Sequence, residues 1–266
     1  MVITLLKFIL TPLLVAFTTL ASRRWGPTVG GWLVGLPITS GPVSVFLLIE
    51  QGNDFAVASA HSTLNGVISV VAFSLTYERV SRKFKWPLAT FAGLAGYFAV
   101  IALFSQAYLP LYASSALALG AITLGYRAVP PTIDAVNTLV APAWDLPFRM
   151  IAATIIVVAI TTVSGFLGPQ ISGLLSTFPA SICVMSAFSH YLHGTLAVRK
   201  FEQGVIVGSY AFAVFFIVAV PALQAWHPVA AYLAASCCAL ATNVVVFRVI
   251  SMEAQARQNE KTSQMK

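Results

Sequence analysis

Residues 26–52 read GPTVGGWLVGLPITSGPVSVFLLIEQG. The stretch is apolar enough to lie in a membrane, yet its middle is built from helix breakers. Pro37, Gly41 and Pro42 should interrupt any helix there, because proline lacks a donor and glycine weakens the turn. Hydrocarbon tolerates non-helical backbone only where protein buries it or it lines a wet cavity. The segment therefore predicts a broken transmembrane helix inside a bundle.

The pattern recurs downstream. Residues 168–194 read GPQISGLLSTFPASICVMSAFSHYLHG, and a shift of 142 positions aligns the two stretches without a gap. Gly26 meets Gly168, Pro27 meets Pro169, Gly31 meets Gly173 and Pro37 meets Pro179. Further along, Ser44 meets Ser186, Gly52 meets Gly194, Gly66 meets Gly208 and Phe73 meets Phe215. A weaker match runs backwards through Lys7 and Arg149, Val15 and Val157, and Thr19 and Thr161. That extension favours reading residues 3–21 as a retained span rather than a signal peptide.

Composition sets the class. Of 266 residues, 58% are hydrophobic and 9% charged, against about 25% charged in soluble domains. This is an all-α integral membrane protein. The net charge of +7 forms no compact basic patch, so no nucleic-acid partner is expected. Apolar runs near 3–21, 27–49, 55–77, 87–104, 109–126, 147–165, 168–193, 201–221 and 229–248 predict nine transmembrane helices. Arg23, Arg24, Arg79, Arg82, Lys83, Lys85, Arg127, Arg199 and Lys200 all fall on one side of that arrangement. The positive-inside rule puts the N-terminus outside and the C-terminus inside.

Five spans separate the equivalent stretches, so the second copy enters from the opposite face. The expected organisation is a 4+1+4 inverted repeat. Residues 1–104 and 147–250 form the two four-span units, 105–146 link them through span 5, and 251–266 form a polar tail. Many secondary transporters are built in this way, with substrate sites at broken helices near the midplane. The expected function is transport of a small solute, weakly an organic anion, across a bacterial inner membrane. A non-transporting envelope accessory protein and a lipid flippase are the alternatives.

The candidate substrate site follows from the breaks: Pro37, Thr39, Ser40 and Gly41 opposite Thr177, Pro179, Ser181 and Ile182. Short side chains there let backbone approach a ligand. Asp54, His61, Asn65 and Ser69 share one face of span 3. This adds His61 and Asn65 to the site, since intramembrane polar groups normally face a bundle interior or a water path. Asp134 and Asp145 read as loop residues. His190 and His193 lack a third ligand, so no metal is expected. Cys183, Cys237 and Cys238 lie in apolar runs and suggest no disulfide framework. No nucleophile, phosphate-loop or dinucleotide motif appears, so neither enzyme nor cofactor is expected. The expected partners are membrane lipid and the solute. The small residues of ASSALALG in span 5 suit close helix packing, and the reading is compatible with a homo-oligomer.

The run LLSTFPASICVMSAFSHYLHG, residues 174–194, resembles the FPTF-to-HY stretch of the GlpM-like small inner-membrane proteins. The likeness covers roughly residues 147–220. It implies that two copies of a unit otherwise encoded singly are fused here, and it carries over no site residues. The first half lacks the HY element: Leu48 and Ile49 stand opposite His190 and Tyr191.

Overall fold

Long apolar runs fold as helices because a helix satisfies its own backbone in hydrocarbon. The computed structural model describes residues 2–37, 40–105, 109–129, 142, 144–164 and 177–264. It is 90% helical, with no strand among the described residues. The helices are α1 (Val2–Trp25), α2 (Pro27–Val34), α3 (Ser40–Gln51), α4 (Asn53–Ser81), α5 (Trp86–Phe104), α6 (Leu111–Ala128), α7 (Asp145–Ser164), α8 (Ala180–Ala225) and α9 (Pro228–Gln264). Among the described residues, four helical segments, in α4, α5, α8 and the 228–246 part of α9, are long and apolar enough to cross a membrane.

The opening stretch is broken around Pro37, ahead of the other two expected breakers. Helix α2 stops at Val34, and α3 starts at Ser40. Gly41 and Pro42 do not interrupt anything; they sit in the first turn of α3. Proline is tolerated in a first turn, where the missing N–H has no intrahelical partner anyway. The Gly41 N–H reaches back to the Pro37 carbonyl at 2.8 Å.

Two expected loops are single residues instead. Gly52 (φ 86°, ψ 175°) separates α3 from α4. Gly194 (φ 78°, ψ −172°) divides α8 into a first limb and a second limb. Positive φ at low cost is a property of glycine, so one residue makes each corner. Arg199 and Lys200, expected in a loop, therefore lie inside the second limb. The tail beyond 250 continues α9 as helix to Gln264.

At the centre, α4 and the second limb of α8 pack antiparallel. Asn53 Nδ2 donates to the Leu223 carbonyl at 3.1 Å at one end. Thr195 Oγ1 donates to the Ser81 carbonyl at 3.3 Å at the other. Between these ends, Val71 and Ile206 both bear on Gly125 of α6. Leu64, Val67, Val71, Ile206 and Phe215 belong to one buried cluster. The apolar windows of α4 and α8 are each 67% buried, against 22% for α5 and α9. The latter two are thus peripheral. Phe91 and Leu103 of α5, and Leu233 and Leu240 of α9, stay exposed, as side chains facing lipid would.

The 142-residue shift carries several helix boundaries onto others further along the chain. It moves α3 to 182–193, within the first limb of α8 and ending just before Gly194. It moves α4 to 195–223, within the second limb, and the start of α5 to 228, the first residue of α9. It also moves Gly52 onto Gly194, and both hold the same unusual backbone conformation.

Candidate functional site

The first break is held against the second limb of α8 by glycines. Gly31 on α2 and Gly35 at its C-cap face Gly204 and Gly208 on α8, each pair four residues apart. A Cβ on Gly31 would collide with the Phe201 carbonyl, one on Gly204 with the Thr28 carbonyl, and one on Gly208 with the Trp32 carbonyl. On Gly35 it would come within 2.6 Å of the Val205 carbonyl. Backbone touches backbone, as small-residue helix pairs in membranes allow. The contacts advance together along both chains, so α2 and the second limb run parallel.

The described residues just before α8 sit on α4 in the corresponding way. Thr177 packs on Gly66, where a Cβ would lie 2.5 Å from Thr177 Oγ1. Thr177 Oγ1 and Tyr97 OH of α5 share a hydrogen bond at 3.2 Å. Pro179 is the N-cap of α8 and is buried. The shift of 142 exchanges the two seats: Gly35 on Gly208 corresponds to Thr177 on Gly66.

The expected site residues divide by neighbour. Ser40 and Gly41 are buried, and Gly41 faces Phe215 of α8. Ser44 and Tyr232 share a 2.8 Å hydrogen bond, tying α3 to α9. Pro37 is half-buried, and Thr39 lies outside the described residues. On the other side, Ile182 joins Val70, Phe73 and Tyr97 in a cluster between α4, α5 and α8, and Ser181 is half-buried. The described contacts thus join the segment before α3 to α8 and the segment before α8 to α4. His61 Nε2 pairs with Ser114 Oγ of α6 at 3.2 Å. Asn65 is 6% exposed, and its Oδ1 has no hydrogen-bond partner among the described residues.

Sequence reasoning missed three buried carboxylates. Asp145 is no loop residue. It opens α7 fully buried and pairs with Arg23 at 2.7 Å and Arg149 at 2.8 Å. Arg149 also lies 5.0 Å from the Phe188 ring centre and donates to Met185 Sδ. This ties α1, α7 and the first limb of α8 into one polar joint. Glu78 is fully buried and held in a fork by Arg82 at 2.8–3.0 Å, with Arg199 Nε at 3.8 Å. Glu202 is fully buried too and accepts a hydrogen bond from Ser186 Oγ. The four-residue spacings Glu78–Arg82 and Asp145–Arg149 were legible as helix pairs. Nothing local marked Glu202, whose burial depends on the first limb of α8 folding back over it.

No protein-family model, curated protein or solved structure matches this chain.

Proposed function

We propose that this chain is a multi-pass transporter of a small solute in a bacterial inner membrane. Two inverted four-span halves, joined by α6, alternate around the broken segments. The N-terminus lies outside and the C-terminus inside, and the halves are fused copies of a unit resembling the GlpM-like proteins. One observation carries the reading: each break is seated on a glycine midway along the central helix of the opposite half. Gly66 lies roughly 20 Å from either end of α4 at the usual helical rise, and the 142 shift places Gly208 likewise on α8. Interrupted backbone at mid-depth is where transporters of inverted construction hold their substrates. The helices α3 and α8 begin at these breaks. Their N-termini favour an anionic group, and the Ser40 and Ser181 hydroxyls add donors.

Single cysteines at Ser40 and Ser181, in a background lacking Cys183, Cys237 and Cys238, test the reading in vesicles of both orientations. Alternating access predicts that a membrane-impermeant maleimide reaches each position from both faces. An anionic solute identified by thermal shift should protect both. Failure of either cysteine to react from either face would mean that the breaks serve packing alone.

A further inference from the structure

Near the Ser81–Thr195 end of the central pair lies a buried carboxyl group that no cation pairs with among the described residues. Glu202 Oε1 accepts from Ser186. Its Oε2, together with Ser74 Oγ and Tyr77 OH of α4, is buried without a hydrogen-bond partner among the described residues. Ser74 is the hydroxyl in reach of the Glu202 carboxyl, Tyr77 OH is in reach of Thr90 and feels the Glu202 charge, and Glu202, Ser74 and Tyr77 are all 0% exposed. A fully buried carboxylate without a counter-charge is costly unless something binds it.

The neighbouring charges narrow what that is. On α4, Glu78 faces Glu202 but is engaged by Arg82. On the first limb of α8, Cys183 lies near Glu202, and His190 packs edge-on against the Tyr77 ring at 6.1 Å. On the second limb, Arg199 pairs with Glu78. No ion pair reaches Glu202 among the described residues. An ionised Glu202 would therefore have no counter-charge among the described residues, and apart from the Cys183 thiol the groups around it offer oxygen. That suits a hard cation of charge +1 better than a divalent ion, which gathers several carboxylates, or a soft metal, which seeks sulfur.

We infer that Glu202, with Ser74 and Tyr77, seats a monovalent cation, a proton or a sodium ion, whose binding is coupled to solute movement. The coupling rests on the transport reading above; the site itself rests on the buried oxygens. Its position suits coupling. Phe201 and Gly204, on either side of Glu202, touch Gly31 and Thr28 of α2, and Ser186 belongs to the limb that begins at the second break. A cation leaving Glu202 would alter the joint between both broken segments.

The test is carbodiimide labelling of the purified full chain, mapped by peptide mass spectrometry. Dicyclohexylcarbodiimide attacks protonated carboxyl groups in apolar sites. Labelling of Glu202 that declines as pH rises, and is indifferent to sodium, assigns a proton. Labelling suppressed by sodium chloride but not by choline chloride assigns sodium. Glu202→Gln should keep the Ser186 bond, abolish that label and flatten the response of the melting temperature to pH or sodium. Ser74→Ala should weaken the cation effect on the order of tenfold, the loss of one hydrogen bond to a charged group. An unlabelled Glu202 with no sodium effect on melting would overturn the inference, as would labelling indifferent to both pH and sodium. If labelling behaves as expected but the maleimide assay fails, the transport reading falls and the cation site stands. The reverse pattern removes the cation site alone.

Discussion

Three glycine-to-alanine substitutions separate three reasons for a glycine. Gly204→Ala places a methyl group onto the Thr28 carbonyl, 2.7 Å from the Trp32 amide nitrogen. Both obstacles are backbone, so no rotamer change relieves them and α2 must move off α8. Overpacking of this kind costs about 2–3 kcal/mol, which lowers the melting temperature of a chain this size by about 5–10 °C. Gly52→Ala meets nothing within 4 Å but must hold φ near +86°, at about 1–2 kcal/mol. Gly120→Ala on α6 meets nothing and has no such φ. It should gain about 0.5–1 kcal/mol from helix propensity. Tryptophan fluorescence during heating in detergent reads all three. The expected order is Gly120→Ala above wild type, then Gly52→Ala, then Gly204→Ala lowest. A Gly204→Ala protein melting within a degree of wild type would refute the close crossing of α2 and α8.

Asp145→Asn leaves buried Arg149 without its counter-charge and should cost about 3–5 kcal/mol, seen as a large fall in melting temperature. A fall of less than about 2 °C would mean that the joint of α1, α7 and α8 adds little. His61→Ala removes one hydrogen bond, to Ser114, costing about 1 kcal/mol. It should weaken a ligand found by thermal shift while the unliganded protein melts near wild type, and unchanged affinity would take His61 out of the site. Ser181→Ala should weaken the same ligand by a few-fold to tenfold, the range of one hydrogen bond; intact affinity would place the ligand elsewhere.

Most helices were readable because apolar runs and their punctuation are local signals. Pro87 and Pro228 stand in the first turns of α5 and α9, as helix starts require. The Gly52–Gly194 and Gly66–Gly208 matches were legible as identities alone; the structure puts the first pair at corners and the second under close helix contacts. Other features depended on partners distant in sequence. Gly41 and Pro42 look like breakers, yet a first turn accommodates them. Arg199 reads as a loop cation, yet a single glycine turns the chain and leaves it helical beside Glu78. Gly31, Gly35, Gly204 and Gly208 carry the four-residue spacing of close helix pairs, but only the crossing shows which glycines meet. Glu202 gave no sign of its burial, because the residues covering it come from two other helical segments.

The central claim is that α4 and the second limb of α8 run antiparallel as equivalents in two inverted halves. Paired cysteines test it most directly. In a background without native cysteines, Ser81→Cys with Thr195→Cys and Asn53→Cys with Leu223→Cys bracket the two ends, where the present contacts are 3.3 and 3.1 Å. Mass spectrometry after mild oxidation should find a disulfide in each matched pair and none in the exchanged pairs Ser81 with Leu223 or Asn53 with Thr195. Impermeant reductant should break the two disulfides from opposite faces of the membrane. Disulfides in the exchanged pairs would make the helices parallel, and cleavage of both matched pairs from one face would remove the inverted arrangement altogether.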